Sequence, residues 1–389
     1  MGVYSEYLTK SMNFDTLCVE RKKQLKRISK IRGDRDILVY ASDQMKNAPT
    51  QIDYSDLMPF YDQLANLTGK HIDIILETPG GFAEVVEDMV KILRAKYEKV
   101  GIIIPGYCKS AGTIFAMAGD EILMGPMSAL GPIDAQIRSN SKGFSAEAFL
   151  EGLNKIKAEV ISSGKLNPAY IPILQNISPG EIQHCENAQN FSQKLVSEWL
   201  ARYKFKFWET HSSSGVPVTE DEKKSRAEEI ANILCKQSKW LTHGRSIKRD
   251  DLEKMKLHIT DYSIDQELND AIVRYYTLLR MSFDTNLYKI LETTDSQIYK
   301  FVALPGNIPA PFMNQPQNEN TATLDFECPK CKTHSLIQMN LGKSIPLKPN
   351  HQPYPVGKDV FVCKNCKTEH NLSTLRLRVE AQTGKKIVK

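Results

Sequence analysis

The chain lacks any apolar run long enough to cross a bilayer: Val100 to Pro105, among its longest, is far short of the ~18 residues a spanning helix needs. Residues Met1 to Lys10 are polar and lack the apolar core of a secretory signal. The expectation is therefore a cytoplasmic protein with no transmembrane segment. No Gly-x-Gly-x-x-Gly fingerprint is present, which removes a dinucleotide-binding dehydrogenase from consideration. Strong charge of one sign is also missing, since the net charge is only +5. Cysteines are few outside one region: Cys18, Cys108, Cys185 and Cys235 stand singly and read as buried or free thiols, not as a disulfide framework.

What is present is an ordinary globular composition over 389 residues, enough for two or three domains. The basic excess gathers partly in Arg21 to Arg32, where Arg21, Lys22, Lys23, Lys26, Arg27, Lys30 and Arg32 crowd together. Leu17, Leu25, Ile28 and Ile31 fall on one helical face of that segment. Two readings stand: a helix packing one face and solvating the other, which is favoured, or a peripheral contact with an anionic surface through residues 21–32.

After this helical lead-in (1–36), strand and helix patterns alternate. Strands are expected at Ile37–Ser42, His71–Glu77, Val100–Gly106 and Asp120–Gly125, from their β-branched and apolar content. Helices are expected at Tyr54–Leu67, Ala83–Tyr97 and Ser110–Ala118, giving an α/β sheet with crossover connections over residues 37–303. Residues from Ser145 to Tyr203 read as mostly helical, followed by helices at 219–235, Lys248–Met255 and Gln266–Phe283. Leu304 to Gln317 is rich in Pro, Asn and Gln without a charge, and marks a linker over 304–322. A cysteine-bearing module fills 323–389.

Two glycine-marked turns follow two consecutive buried strands: Glu77-Thr78-Pro79-Gly80-Gly81, and Tyr107-Cys108-Lys109-Ser110-Ala111-Gly112-Thr113. In a parallel sheet such strand ends line up along one edge, where ligands bind. A serine at a strand-to-helix turn projects its hydroxyl and suits a nucleophile. Acyl transfer also needs donors for the oxyanion, and the amide of Ala111 with that of Gly80 or Gly81 could converge there. The plainer alternatives are a helix-capping role for Ser110 and a simple tight turn for the diglycine.

ETPGG (Glu77 to Gly81), KSAGT (Lys109 to Thr113), DEILMGPMSALGPID (Asp120 to Asp134) and WLTHGRSI (Trp240 to Ile247) together resemble the serine dehydrogenase proteinase family, related to signal peptide peptidase A and the Clp protease. The resemblance runs from about Asp36 to Tyr299. It implies a Clp/crotonase-like spiral with a mostly parallel sheet, a peptide or protein substrate, a homo-oligomer, Ser110 as nucleophile, and Gly81 and Ala111 as oxyanion donors.

The base is less directly marked. Clp proteases use Ser-His-Asp and signal peptide peptidase A relatives Ser-Lys, but Pro132-Ile133-Asp134 stands where the Clp histidine would lie. The resemblance therefore points to a lysine base, best matched by Lys142, with Lys155, Lys157 and Lys165 as alternatives. His243, in Trp240-Leu241-Thr242-His243-Gly244-Arg245, is the chief competitor. Asp134 could orient it, or pair with Arg245 or a lysine.

Cys328-Pro-Lys-Cys331 and Cys363-Lys-Asn-Cys366 each form a knuckle able to present two thiolates, and together read as a zinc ribbon holding a structural Zn2+. Its strands are expected at Thr323–Glu327, Asp359–Val362 and Thr374–Ala381. Four sulfur ligands leave no open position for catalysis. Aromatics suited to base stacking are sparse, so nucleic acid is not an expected partner. Serine endopeptidase activity is thus the leading expectation. An acyl-thioester hydrolase of the same fold and an inactive scaffold with a recruitment module are the alternatives.

Overall fold

The computed structural model describes residues 2–10, 12–139, 142–211, 214–302, 320–383 and 385–388. It divides into two compact units, Met1–Val302 and Ala303–Lys389. The linker expected at 304–322 lies almost wholly outside the described residues.

In the first unit, helices α1 (Val3–Leu8) and α2 (Phe14–Ile31) lead to strand β1 (Asp36–Ser42), helix α3 (Leu57–Ala65), strand β2 (His71–Glu77), helix α4 (Ala83–Lys96), strand β3 (Lys99–Ile104) and helix α5 (Ala111–Met117). The sheet has seven strands, in the order Gln297–Phe301, Leu287–Glu292, β1, β2, β3, Glu121–Met124, Thr260–Asp261. The last five run parallel. The first two form an antiparallel hairpin laid on the outer side of β1, an edge the sequence patterning does not reveal.

Alternation of side chains across the pleat explains why both faces are covered. Leu38, Tyr40, Ile72, Ile74, Leu76, Ile102 and Ile104 enter one core with α4 and α5. Ile37, Val39, Ala41, Ile75, Ile103 and Leu123 enter the other, beneath α2 and the helix Gln266–Phe283. Helix α4 fits its place because Val85, Val86, Met89, Val90 and Leu93 form one buried stripe.

The basic helix α2 begins on an Asn13 cap, whose Oδ1 accepts from Thr16 N at 2.8 Å. Leu17, Leu25 and Ile28 are buried, as the packed-face reading requires. Its charges are largely answered within the molecule. Arg21, fully buried, donates from Nε to Glu292 Oε1 at 3.0 Å, and Arg32 pairs with Asp73 and Glu121. Arg27 pairs with Asp270, Lys26 with Asp295 and Lys23 with Glu20, while Lys22 donates to the Thr293 carbonyl at 2.6 Å. Among the described residues no helix is long and apolar enough to cross a membrane.

The second unit is small. Thr321–Glu327 pairs antiparallel with His334–Leu341, which also meets His351–Pro353 and Ile387–Val388. A separate hairpin joins Val360–Val362 to Glu369–Asn371. The strand expected at Thr374–Ala381 is instead part of a helix, Ser373–Thr383. Its Leu-Arg-Leu-Arg alternation suggests a strand, yet Leu375 and Val379, four apart, face the core while Leu377 is exposed. The Arg376–Glu380 pair one turn apart supports the helix.

Candidate active site

The edge where β2 and β3 end is built from two laced turns. Thr78 N donates to Tyr107 O at 3.1 Å and Lys109 N donates to Thr78 O at 2.9 Å, so the chain entering α5 is strapped to the chain leaving β2. Gly80 sits at φ +105°, a region that favours glycine. A Cβ there would lie 2.7 Å from Ser110 Cβ and 2.8 Å from Lys109 O. Only glycine lets the two turns approach this closely.

Gly80 and Gly81 differ in what their amides do. Gly80 N donates to Thr78 Oγ1 at 3.1 Å, and Gly80 O accepts from Ile52 N at 2.7 Å. Phe82 N donates to Ile52 O at 3.0 Å. The strap to Ile52 thus uses the groups on either side of Gly81, and the Gly81 amide takes no part in it. Across the turn, Gly112 N is bonded to Lys109 O and Thr113 N to Ser110 O, both at 2.8 Å. The amide of Ala111 has no backbone partner among the described residues.

Ser110 itself holds φ +51° and ψ −119°, an uncommon backbone conformation for a residue with a Cβ. Its side chain makes no capping bond to α5, so the plain capping role does not describe it. The surroundings enforce the conformation. Every residue of α5 is buried, and Thr113 Oγ1 donates at 2.9 Å to Gly131 O while receiving Gly131 N at 3.0 Å. That second tie fixes the helix to the segment carrying Asp134.

Asp134 and His243 meet although they lie far apart in sequence. The Asp134 carboxylate is buried; its Oδ1 lies 2.5 Å from His243 Nδ1 and its Oδ2 accepts from Gln136 Nε2 at 2.5 Å. Hydrogen bonding to Asp134 raises the His243 pKa above its ordinary value, against partial burial and the nearby Lys109 charge. His243 borders a cavity of about 710 Å3 together with Pro79 and Lys109, the residues that directly precede Gly80 and Ser110.

Burial brings the Lys109 pKa down to about 8. Its Nζ nevertheless donates to Leu130 O at 2.9 Å, Arg245 O at 3.0 Å and Ser246 Oγ at 3.1 Å. Those three contacts occupy all the donors of an ammonium and make Lys109 a strut between the serine turn and the His243 segment. Of the expected lysines, Lys142 lies on the strand Lys142–Ser145, but its side chain falls outside the described residues. Lys155 and Lys157 are exposed on the helix Ala146–Ser163, and Lys165 is exposed just beyond it.

One group escapes sequence reading. Glu77, the last residue of β2, is fully buried, and burial pushes its pKa up to about 8 against the Arg280 guanidinium. Its Oε1 receives Tyr276 Oη and an Arg280 nitrogen, both at a long 3.3 Å, and its Oε2 has no hydrogen-bond partner among the described residues. The signal available beforehand was a carboxylate closing the apolar run Ile74-Ile75-Leu76.

In the second unit the Sγ atoms of Cys328, Cys331, Cys363 and Cys366 all lie within 4.8 Å of one another. Cys328 and Cys366 are 3.5 Å apart, and Cys331 and Cys363 3.6 Å. Tetrahedral sulfur ligands at about 2.3 Å from a metal stand roughly 3.8 Å apart, so the four can hold one ion. The Thr333 hydroxyl and amide lower the Cys331 pKa to about 5, favouring the thiolate that binds metal.

Residues 61–188 match the family model described as ClpP-like SDH-type serine proteinase. An uncharacterized protein of Methanocaldococcus jannaschii is 36% identical over 90 residues, covering 23% of this chain and 31% of that relative. A second uncharacterized protein of the same organism is 28% identical over 212 residues, covering 54% and 58%. The match thus spans less than two thirds of either relative's length. Among solved structures, a mutant of a membrane-bound stomatin-specific protease has 15% identity, covers 56% of this chain and 77% of that chain, and gives a TM-score of 0.32. The family match and the mostly parallel central sheet with its helices describe a Clp-like fold, followed by a small strand unit bearing a cysteine cluster.

Proposed function

We propose that the first unit is a serine peptidase in which Ser110 is the nucleophile and His243, oriented by Asp134, is its base. The observation that carries this reading is the conformation of Ser110, a side chain turned off its helix cap at positive φ and held against Gly80. Such strain persists only where surrounding structure over-determines it, and it belongs to nucleophile turns.

The residues take the following parts. Asp134 on Nδ1 leaves His243 Nε2 as the nitrogen available to receive the Ser110 proton. Oγ then attacks the peptide carbonyl carbon, and the amides of Gly81 and Ala111 donate to the oxygen that becomes negative. Collapse breaks the C–N bond while His243 returns the proton to the leaving amine. Water, deprotonated by the same imidazole, cleaves the acyl ester and restores Ser110. Lys109 is assigned a positioning part because its donors are occupied. Of the lysines the resemblance offers as base, Lys155, Lys157 and Lys165 face solvent and the Lys142 side chain lies outside the described residues, whereas His243 borders the cavity and is the base assigned.

The four cysteines of the second unit would hold a structural zinc ion. Assembly into a homo-oligomer is part of the same proposal and is read by light scattering of the intact chain. The function is tested with a fluorophosphonate probe and mass spectrometry. Modification at Ser110, with loss of peptide cleavage in Ser110→Ala, supports the reading. An unmodified Ser110 in folded protein from neutral to mildly alkaline pH overturns it in favour of a scaffold.

A further inference from the structure

The cavity bordered by Lys109 and His243 is lined by Gly106 and Tyr276 as well, and both of these abut Glu77. A Cβ on Gly106 would fall 2.1 Å from Tyr276 Oη and 2.7 Å from Glu77 Oε2. Gly106 has no positive φ to explain it. Its missing side chain leaves room for the Glu77 carboxyl against the cavity wall.

The charges behind that wall do not balance. Arg280 reaches both carboxylates, at 3.2 Å to Asp43 Oδ1 and 3.3 Å to Glu77 Oε1. One guanidinium thus serves two acids. The other polar neighbours are hydroxyls: Tyr276 on Glu77, and Tyr107, which donates to Ser42 O at 3.1 Å. Glu77 is left with a buried oxygen that nothing answers among the described residues. Ionising a buried carboxyl whose second oxygen is unanswered and whose guanidinium is shared is costly, so burial favours the protonated form until a further cation comes to it. The lysines at the cavity, Lys109 and Lys248, are already bonded to backbone carbonyls, Lys109 to Leu130 O and Arg245 O and Lys248 to Met127 O and Ser128 O.

We propose that the wall of this cavity formed by Gly106 and Tyr276, with Glu77 behind it, is a subsite for a cationic group, the ammonium or guanidinium of a lysine or arginine side chain on the polypeptide cleaved at Ser110. The cation displaces the Tyr276 hydroxyl from its long bond to Glu77, and the carboxyl ionises to meet it. This inference rests on the peptidase reading, but it can be tested separately.

The probes are benzamidine, a cation, and benzamide, its neutral counterpart of the same shape. Their binding to the intact chain is measured by calorimetry, and their protection of Ser110 by the rate of fluorophosphonate labelling. A charge-assisted bond to Glu77 predicts that benzamidine binds and protects about 10- to 100-fold better than benzamide. Glu77→Gln should abolish the difference. Binding near neutral pH should release a proton, seen as a dependence of the measured heat on buffer ionisation enthalpy, since burial raises the Glu77 pKa and an incoming cation lowers it again. Proton release by the unaltered chain decides the matter if Glu77→Gln does not fold. Equal binding of the two probes, discrimination that survives Glu77→Gln, or binding without proton release overturns the inference. If Ser110 fails to label while Glu77-dependent benzamidine binding persists, the peptidase reading falls and the cation subsite stands.

Discussion

Replacing Gly80 with alanine asks whether the contact between the two turns is as close as the structure has it. The new methyl would sit 2.7 Å from Ser110 Cβ, 2.8 Å from Lys109 O and 3.1 Å from Ala111 N. Two of these neighbours are main-chain atoms, so none can swing aside. Holding a side-chain-bearing residue at φ +105° costs about 1–3 kcal/mol, and forcing a methyl into a filled space costs about 1–3 kcal/mol more. The expected loss is therefore about 2–6 kcal/mol, a large share of a domain's ~5–15 kcal/mol. Gly164→Ala is the control: φ is +72° there but nothing lies within 4 Å, so only about 1 kcal/mol of backbone strain is expected. Denaturant titration followed by tryptophan fluorescence reads the first unit, because Trp199, Trp208 and Trp240 all belong to it. Gly80→Ala should shift the midpoint well below that of Gly164→Ala and slow Ser110 labelling even where the protein remains folded. Equal midpoints and wild-type labelling in Gly80→Ala would refute the close approach.

Other perturbations reach different parts of the molecule. The Glu77 pKa is raised on folding, so the folded state holds the extra proton and stability falls as pH rises from about 4.5 toward 8, by at most about 1.4 kcal/mol per unit; Glu77→Gln should flatten that slope in denaturant titrations at several pH values. Glu292→Ala leaves the Arg21 guanidinium buried without its carboxylate, and should cost about 3–5 kcal/mol in the same titration. Zinc analysis should find one ion per chain. Cys331→Ser should release it and loosen the hairpins of the second unit, read by amide exchange, while Ser110 labelling continues.

Much of the scaffold was legible because it depends on local pattern. The run His71 to Glu77 is apolar and β-branched enough to be a buried strand, and Gln266–Phe283 repeats its apolar residues at helical spacing. The hairpin Leu287–Phe301 was not seen, since its place depends on β1 offering a free edge. The alternation in Thr374–Ala381 misled because Leu377 is an exposed apolar residue. At the site, the position of Ser110 between a strand and a helix was readable from its flanking residues. The meeting of Asp134 with His243 was one of three pairings left open, beside Arg245 and a lysine, because no spacing encodes a contact between distant segments. Glu77 stayed hidden for a related reason: a carboxylate closing a strand normally reaches solvent, and only the packed Gln266–Phe283 helix covers it.

The most direct measurement is the pH dependence of Ser110 acylation by a fluorophosphonate in the wild type, His243→Ala and Asp134→Asn. With His243 as base, the wild-type rate climbs as the imidazole loses its proton and levels off above a pKa that Asp134 holds higher than usual. Asp134→Asn should move that inflection to lower pH, and His243→Ala should lower the plateau about 100- to 10,000-fold in folded protein. A folded His243→Ala that acylates at the wild-type rate, with the same pH profile, would contradict the assignment of the base.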